Sequence, residues 1–260
     1  MILGLMATKG NVGRTELTRS LAAYKVERGE DVFVYEFDVS NPKLIEYFPW
    51  DSDVVRRQVS KVDVSKCTLA GKCISACRFG AIEKVGEKLV RHPHFCRGCG
   101  HCKEACPQGA IYFDEIEAGE VGSGRADKIS FFAARLAPGE AWEGILIKRL
   151  KETYPIEGGP AILKAPLGLG AMSLRAVKDA SSLYLVTRAH EGVEREINTF
   201  GQIVQGFDIP GAVIWRGKEV PEGVQKAAEG YGLKTLALPV VPELEGTLEE
   251  IWNLGGGERK

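Results

Sequence analysis

Seven cysteines fall in two similar runs of the 260-residue chain. The first run, "CTLAGKCISACRFGAI", covers residues 67–82, and the second, "CRGCGHCKEACPQGAI", covers residues 96–111. Ala70 in the first run stands where the second run has Cys99. The aligned pairs are Cys67 with Cys96, Cys73 with Cys102 and Cys77 with Cys106. Three thiolates on one short loop can wrap three corners of a metal-sulfur cluster, so the second run predicts cluster binding.

The spacing C-x2-C-x2-C-x3-C-P of the second run resembles the cluster-binding run of bacterial ferredoxins. In two-cluster ferredoxins the last cysteine of each run ligates the cluster of the other run. Crossing the ligands in this way gives a complete set, Cys77, Cys96, Cys99 and Cys102, and an incomplete set, Cys67, Cys73 and Cys106. We expect one 4Fe-4S cluster at the complete set. At the incomplete set we expect a 3Fe-4S cluster, a labile 4Fe-4S cluster with a non-cysteine ligand, or nothing.

Zinc or disulfides are the alternative interpretation of the cysteines. Zinc sites usually take two well-separated ligand pairs rather than a triple, so the spacing favours the iron-sulfur interpretation. The nearby histidines His92, His94 and His101 are typical of solvated loops.

The amino-acid composition argues against some classes of function. The net charge is −1 and no basic run occurs, so attraction to nucleic acid or anionic lipid has no evident source. No apolar stretch approaches the roughly 20 residues of a membrane span. We therefore expect a cytoplasmic protein. Asn and Gln total nine residues against 27% charged residues, which is typical of a thermophilic source.

Outside the cysteine runs, short apolar segments alternate with helical stretches. The chain opens with the strand pattern "MILGLMA", and the helical pattern that follows ends at Gly29. Such alternation predicts right-handed crossovers and a mostly parallel sheet covered on both faces. Near the end, "VPELEGTLEEIW" at residues 241–252 is typical of a capped surface helix that could dock on a partner.

The first predicted strand leads into "TKGNVGRT", where glycines let backbone amides point at a phosphate and the next helix presents its N-terminus. With "YEFDVSNP" at residues 35–42, "KAPLG" at residues 164–168 and the cysteine insert, the chain resembles the MinD/ParA-type P-loop ATPases that carry an inserted two-cluster ferredoxin domain. The resemblance implies an α/β P-loop NTPase fold with an inserted α+β ferredoxin-like domain. The expected segments are 1–60 and 116–260 for the P-loop domain and 61–115 for the insert.

The resemblance also implies a site for ATP or ADP, with or without Mg²⁺. Its expected residues are Lys9, Gly10, Asn11, Val12, Gly13, Arg14, Thr15, Glu36, Asp38 and Lys164. Two departures from the family pattern matter most. Arg14 replaces the lysine that grips phosphate, and Lys164 replaces an aspartate that supports the magnesium shell. A cation at that place opposes the metal on which hydrolysis relies, so we expect weak or absent ATP hydrolysis. An equal alternative is that Lys164 forms a salt bridge to Asp38 or Glu36 that fills an empty pocket.

These features predict an iron-sulfur protein with a degenerate nucleotide site and no assigned catalytic residue. The resemblance implies a redox or regulatory subunit of a dimer with an intact paralogue, in which Lys9 crosses the interface, and a redox partner protein. One alternative is an ATPase that couples hydrolysis to electron transfer or iron-sulfur cluster handling. Another is a simple ferredoxin-type electron carrier on a fold retained for stability.

Overall fold

The computed structural model describes residues 1–238 and 245–254 and divides the chain into two compact units. The first, here called the sheet unit, comprises Met1–Asp53, Val121–Arg135 and Glu143–Lys260. The second, here called the cysteine unit, comprises Val54–Glu120 and Leu136–Trp142. No helix in the described part of the chain is long and apolar enough to cross a membrane.

Eleven strands alternate with the helices along the described residues. In chain order they are β1 (Ile2–Ala7), β2 (Val32–Glu36), β3 (Asp51–Val62), β4 (Ile82–Val85), β5 (Lys88–Arg91), β6 (Ile111–Ala126), β7 (Ile129–Leu136), β8 (Ala161–Leu167), β9 (Ser182–Thr187), β10 (Gly211–Arg216) and β11 (Lys234–Leu238). Nine of them form one sheet in the order β11-β10-β9-β1-β8-β2-β7-β6-β3. The pairs from β11 to β7 are parallel, which confirms the predicted α/β class. In the cysteine unit β4 and β5 form an antiparallel pair.

Eight α-helices lie in the described residues. They are α1 (Arg14–Glu27), α2 (Lys72–Ala76), α3 (His101–Glu104), α4 (Glu143–Thr153), α5 (Ala171–Val177), α6 (Val193–Phe207), α7 (Glu222–Glu229) and α8 (Glu245–Leu254). Short 3-10 helices cover Lys43–Glu46 and Pro93–Phe95. The chain leaves α1 at Gly29 as expected, because this residue has a φ of 79° and its N–H donates to the carbonyl of Val26 at 2.8 Å.

The core of the sheet unit is built on β1, β8 and β9. Their side chains are buried almost without interruption, as parallel strands covered on both faces require. A large cluster of buried side chains from these strands also includes residues of α1 and α8.

Helix α8 differs from the surface helix expected from the sequence. Its side chains Leu248, Ile251 and Trp252 are buried in the core cluster, and the hydroxyl of Tyr184 donates to the carbonyl of Ile251 at 2.6 Å. The chain itself therefore covers this face of α8, and docking of α8 on a partner stays a prediction. Residues 241–244 of the expected helix lie outside the described residues.

Candidate cluster and nucleotide sites

The seven cysteines line two small cavities in the cysteine unit. The complete set, Cys77, Cys96, Cys99 and Cys102, lines one cavity, and the incomplete set, Cys67, Cys73 and Cys106, lines the other. This is the grouping that crossed ligation predicts. Ala70 lies in the wall of the incomplete cavity, at the position that Cys99 takes in the complete one. A cavity is present at both cysteine sets, so loss of the cysteine at position 70 has not closed the space.

The two cysteine runs turn in the same way. Gly71 precedes α2 with a φ of 75°, and Gly100 precedes α3 with a φ of 90°. Both conformations lie in the left-handed region that glycine adopts without strain. Each glycine follows the aligned position held by Ala70 in one run and Cys99 in the other. The first run therefore keeps the loop conformation although it lacks the thiol.

Cys96 is a buried thiol with polar neighbours. Its Sγ accepts a hydrogen bond from the backbone N–H of Ser60 at 3.3 Å, and the Ser60 hydroxyl lies 3.4 Å away. Burial alone would raise the pKa of Cys96, but the contacts with Ser60 outweigh it and the pKa lies below its usual value. A thiolate is the form of cysteine that ligates metal. This environment fits a cluster ligand.

A buried ion pair anchors the backbone beside Cys96. Nε and a terminal nitrogen of Arg57 each lie 2.7 Å from the carboxylate of Glu140. The same guanidinium donates to the carbonyls of Cys96 and Pro93, both at 3.0 Å. Burial would raise the pKa of Glu140, yet Arg57 and then His94 hold it below the usual value. Arg57 and Glu140 were not predicted, because no local pattern links two residues so far apart in the sequence.

The incomplete cavity offers no substitute for the missing thiolate. Among its described lining residues no carboxylate or histidine occurs, and its polar side chains other than the cysteines are those of Thr68, Lys72 and Gln108. The N–H of Ala110 donates to Sγ of Cys106 at 3.3 Å. Burial would raise the pKa of Cys106, but this and neighbouring backbone N–H groups lower it below the usual value.

The donor set as a whole fits iron-sulfur clusters. All seven described cysteines are free thiols, and backbone N–H groups point at sulfur in both cavities. Backbone donors to sulfur are a regular feature of iron-sulfur sites. No three His, Cys, Asp or Glu side chains of the described residues converge closely enough to hold a single metal ion. The cysteines line the walls of their cavities instead.

A second site lies in the sheet unit, where β1 leads into α1. Gly13 precedes α1 with a φ of 79°, and Asn11 has a φ of 56°, which asparagine tolerates better than most residues. The cleft beside this loop is lined by all the predicted P-loop residues from Lys9 to Thr15 and by Asp38 and Lys164. Glu36 lies behind them and is fully buried.

Lys164 and Glu36 form a buried ion pair at the ends of β8 and β2. The parallel register makes the two residues direct neighbours. Nζ of Lys164 lies 2.9 Å from each carboxylate oxygen of Glu36 and 3.8 Å from Oδ2 of Asp38. The same carboxylate accepts the backbone N–H groups of Asp38 and Leu44. All acceptor positions of Glu36 are thus directed to protein donors.

Burial and the ion pair act in opposite directions on Glu36. Burial raises the pKa of this carboxyl above its usual value, and Lys164 opposes the increase. Nearby Asp38 adds to the increase through its own charge. Lys164 therefore favours the ionised form of Glu36.

The guanidinium of Arg14 also forms polar contacts with other residues of the chain. One terminal nitrogen donates to the carbonyls of Ala165 at 2.6 Å and Pro166 at 3.3 Å, and the other lies 3.5 Å from Oδ2 of Asp38. Burial lowers the pKa of Arg14, and the carboxylates of Asp38 and Glu36 oppose that shift. Two cations and two carboxylates therefore occupy the region where the family resemblance would place magnesium.

A further carboxylate of the site was missed by sequence reasoning. Glu196 on α6 accepts hydrogen bonds from the N–H and hydroxyl of Thr8, from the hydroxyl of Thr187 and from the ring of His190. This carboxylate ties the start of the P-loop segment to the end of β9. Arg216 covers the loop, because a Cβ atom added to Gly13 would lie 3.1 Å from its guanidinium.

Sequence comparisons find relatives of parts of the chain. Residues 59–107 match the family model of the 4Fe-4S dicluster domain. A ferredoxin from Saccharopolyspora erythraea is 33% identical over 69 residues, which cover 26% of this chain and 65% of that protein. An uncharacterised protein of Methanocaldococcus jannaschii is 26% identical over 192 residues, which cover 69% of this chain and 64% of that protein. The chain thus spans less than two thirds of the length of these relatives.

Solved structures share the fold of the whole chain. Cobyrinic acid a,c-diamide synthase from Mycobacterium smegmatis, solved with an ATP analogue and magnesium, matches with a TM-score of 0.50 and 13% identity, covering 97% of this chain and 94% of that one. A plasmid partition protein from Borrelia burgdorferi matches with a TM-score of 0.50 and 10% identity, covering 97% of this chain and 96% of that one. The chain therefore has the MinD/ParA-type P-loop fold. A ferredoxin-like 4Fe-4S domain is inserted in it.

Proposed function

We propose that this chain is an iron-sulfur redox protein whose nucleotide site has its own cations in place of magnesium. The observation that carries the proposal is the placement of Lys164, which donates to both carboxylate oxygens of Glu36 at 2.9 Å. A carboxylate paired in this way has no oxygen left for a metal ion. This supports the pocket-filling alternative for Lys164.

A site that cannot hold magnesium is poorly suited to ATP hydrolysis. Phosphoryl transfer depends on metal ions that neutralise the charge developing on the phosphates and on a positioned nucleophile. Arg14 would have to break its contacts with Ala165, Pro166 and Asp38 to reach a phosphate. Nucleotide bound here acts on the conformation of the chain rather than through covalent chemistry. The degenerate site remains open enough for ATP or ADP, since Lys9 to Thr15 still line a cleft.

The complete cysteine set would hold one 4Fe-4S cluster that accepts and releases single electrons. In our proposal the chain's residues bind the cluster, shield it and set its potential. Cys77, Cys96, Cys99 and Cys102 are the ligands, and Ser60 supplies hydrogen bonds to sulfur. The incomplete set, Cys67, Cys73 and Cys106, would hold a 3Fe-4S or labile 4Fe-4S cluster, because its cavity is retained and no protein ligand replaces the missing thiolate.

The proposal keeps the predicted domain limits and partners. Residues 61–115 would form the inserted iron-sulfur domain, and residues 1–60 and 116–260 the P-loop domain. The chain would pair with an intact paralogue and exchange electrons with a redox partner protein. Lys9 supports the dimer, because it is exposed at the cleft and no ion pair involves it among the described residues.

Metal analysis of protein purified without oxygen tests the cluster proposal. We expect at least about four iron atoms and four sulfides per chain, with an EPR signal of a 4Fe-4S cluster after reduction. Ala70→Cys restores the missing ligand and should raise the iron content and remove any 3Fe signal. Val85→Cys, at an exposed position of the cysteine unit that lines neither cavity, is a matched control that should leave the iron content unchanged. Fewer than about four iron atoms in the unmodified protein would contradict the proposal.

The competing function is an ATPase coupled to electron transfer or cluster handling. It is favoured by Asp38, which lines the cleft and is held only by contacts of 3.5 Å or longer to Arg14, Ser40 and Lys164. A phosphate-release assay with Mg-ATP separates the two functions. Our proposal predicts no release above background. Turnover by the purified chain that Asp38→Asn abolishes would establish the ATPase.

A further inference from the structure

Exposed cations follow the cysteines of the complete set. Three of its four cysteines are each followed directly by one, in the pairs Cys77-Arg78, Cys96-Arg97 and Cys102-Lys103. The residues that follow the cysteines of the incomplete set are Thr68, Ile74 and Pro107. The two runs together contain one carboxylate, Glu104. The complete set thus has three adjoining cations, whereas the incomplete cavity has one cation, Lys72, in its wall.

The charges of these three cations are not balanced by ion pairs within the part of the chain that the structure describes. Arg78, Arg97 and Lys103 are exposed, and none forms an ion pair within the described residues. Four other cations of the cysteine unit are paired with nearby carboxylates, whereas Arg56, Lys72, Lys88 and Arg91 form no ion pair within the described residues. The four pairs are Arg57 with Glu140, Lys61 with Asp114, Lys66 with Asp63 and Lys84 with Glu87.

Arg97 is held in place beside the complete cavity. Its guanidinium lies 3.5 Å from the centre of the Trp142 ring and 5.7 Å from that of Phe79. Arg97, Phe79 and Cys99 line the complete cavity, and all three are exposed. The outer side of the complete cavity thus presents a thiol, an aromatic ring and a fixed positive charge. We call the surface formed by Arg78, Phe79, Arg97, Cys99 and Lys103 the basic edge.

We propose that the basic edge docks an acidic one-electron carrier protein against the cluster of the complete set. The inference rests on the proposed function, because it needs a cluster at this place. Uncompensated charge around a site steers an oppositely charged partner and fixes its orientation. Arg97 and Phe79 provide the arginine and aromatic contacts that are enriched in protein interfaces. One electron passes between the reduced cluster and the oxidised centre of the carrier, with no bond made or broken.

The same cations could act on the cluster alone by stabilising its more negative, reduced state. A change of potential and a docking field have different signatures. A changed potential alters the rates of all oxidants in the same direction, whereas a docking field alters the rates of anionic and cationic oxidants in opposite directions. Small redox probes of opposite charge therefore separate the two roles.

The experiment uses the full chain with its cluster, reduced by dithionite without oxygen. Stopped-flow absorbance follows its oxidation by the anion cobalt(III)-EDTA and by the cation hexaamminecobalt(III) at about 0.01 M ionic strength, where screening is weak. The test variant is the double substitution Arg78→Glu and Lys103→Glu, which leaves Arg97 and its stacking intact. Lys88→Glu on β5 is the control, because Lys88 is exposed in the same unit and does not follow a cysteine.

We expect the anionic probe to react about tenfold more slowly with the test variant and the cationic probe to react faster. Both changes should shrink at 0.15 M salt, and Lys88→Glu should change either rate much less. Changes in the same direction for both probes, or changes equal to those of Lys88→Glu, overturn the docking proposal. If the test variant loses its cluster, Arg78→Gln with Lys103→Gln is measured against the same criteria. A chain without iron contradicts the proposed function, whereas an iron-loaded chain without charge discrimination contradicts only the docking.

Discussion

The ion pair of Lys164 and Glu36 is the residue-scale feature on which the account of the nucleotide site rests. Both side chains are almost completely buried, so the charge of each is balanced by the other rather than by water. Burying two charges costs much of what their attraction returns, so the pair adds little net stability. Removing one partner is different, because it leaves the other charge buried alone.

The substitution Lys164→Met should therefore lower the free energy of unfolding by about 3–5 kcal/mol at neutral pH. Burial already raises the pKa of Glu36, and loss of the ammonium raises it further. The native state of the variant then binds a proton that the unfolded state releases, so stability falls as pH rises above the ordinary glutamate value of 4.5. Chemical denaturation at several pH values measures this dependence.

The control for Lys164→Met is Lys226→Met. Lys226 pairs with Glu222 at the surface, where an ion pair is worth at most about 1 kcal/mol. Adding Glu36→Gln to Lys164→Met should recover part of the loss and remove its pH dependence. A Lys164→Met variant as stable as Lys226→Met at every pH would contradict the role of Lys164.

The hydrogen bonds to Cys96 give a prediction for the cluster. Ser60→Ala removes the hydroxyl that lies 3.4 Å from Sγ of Cys96. Hydrogen bonds to cluster sulfurs favour the more negative, reduced state, so the potential should become more negative. An EPR-monitored redox titration measures the shift. Ser65→Ala is the control, because its hydroxyl bonds to Asp63, and an equal potential in both variants would contradict the assignment.

Residue types could be predicted at both sites, but contact partners often could not. The sequence placed a cation at position 164 and offered Asp38 or Glu36 as its partner. Only the register of β2 and β8 selects Glu36 as the closer one. Ser60 and Glu140 lie far in sequence from the cysteine loop that they support. Such contacts carry no local pattern, because they depend on tertiary packing.

At the scale of elements, the alternation of strands and helices in the sheet unit was predictable. Buried parallel strands need continuous apolar segments, and amphipathic helices between them show a helical period. The long strands β3 and β6 were not predicted, and both cross the expected limits of the insert at residues 61–115. Their mixed polar sequences show little apolar continuity. The buried face of α8 was missed because its partner Tyr184 lies on a distant strand.

Strand β6 gives a prediction about close packing in the sheet unit. A Cβ atom added to Gly124 would lie 1.6 Å from the carbonyl oxygen of Pro49 and 3.0 Å from Cα of Trp50. These are backbone atoms, so relief requires movement of a strand. Gly124→Ala should therefore destabilise the protein by about 1–3 kcal/mol or more in thermal or chemical denaturation.

Gly206→Ala is the matched control for Gly124→Ala. Gly206 lies in α6, and no atom is within 4 Å of a Cβ atom added there. Alanine in a helix is favoured over glycine by about 0.5–1 kcal/mol, so this variant should be slightly more stable. Equal stability of the two variants would contradict the close approach of β6 and the segment at Pro49.

At the scale of the whole molecule, the two units have cores of very different size. The cysteine unit contains buried clusters of four and three residues, and several of these are cysteines. The sheet unit is built around a far larger cluster. A small unit with few buried apolar side chains usually needs metal or disulfides to fold.

We therefore predict that cluster removal unfolds the cysteine unit and leaves the sheet unit folded. Hydrogen exchange monitored by mass spectrometry should show residues 67–111 exchanging on the order of tenfold faster or more after chelation of iron. Amides of β1, β8 and β9 should keep their protection. Unchanged exchange at residues 67–111, or equal loss of protection in both units, would contradict the prediction.

The overall class of the molecule was accessible from the sequence, because the cysteine runs and the P-loop segment are local patterns. The residue limits of the two compact units were harder to predict from the sequence. Residues 136–142 lie in the cysteine unit, although a long stretch of chain separates them from the cysteine runs. The ion pair of Glu140 with Arg57 gives the physical reason for this placement.

The most direct test of the central claim is a calorimetric titration of the iron-loaded chain with ATP, with and without Mg²⁺. Because Lys164 and Arg14 occupy the region that magnesium would need, we predict that Mg²⁺ gives no gain in ATP binding. Lys164→Asp, which restores the carboxylate of the family pattern, should introduce a dependence on Mg²⁺. A tenfold or larger gain in affinity with Mg²⁺ in the unmodified chain, about 1.4 kcal/mol, would contradict the account.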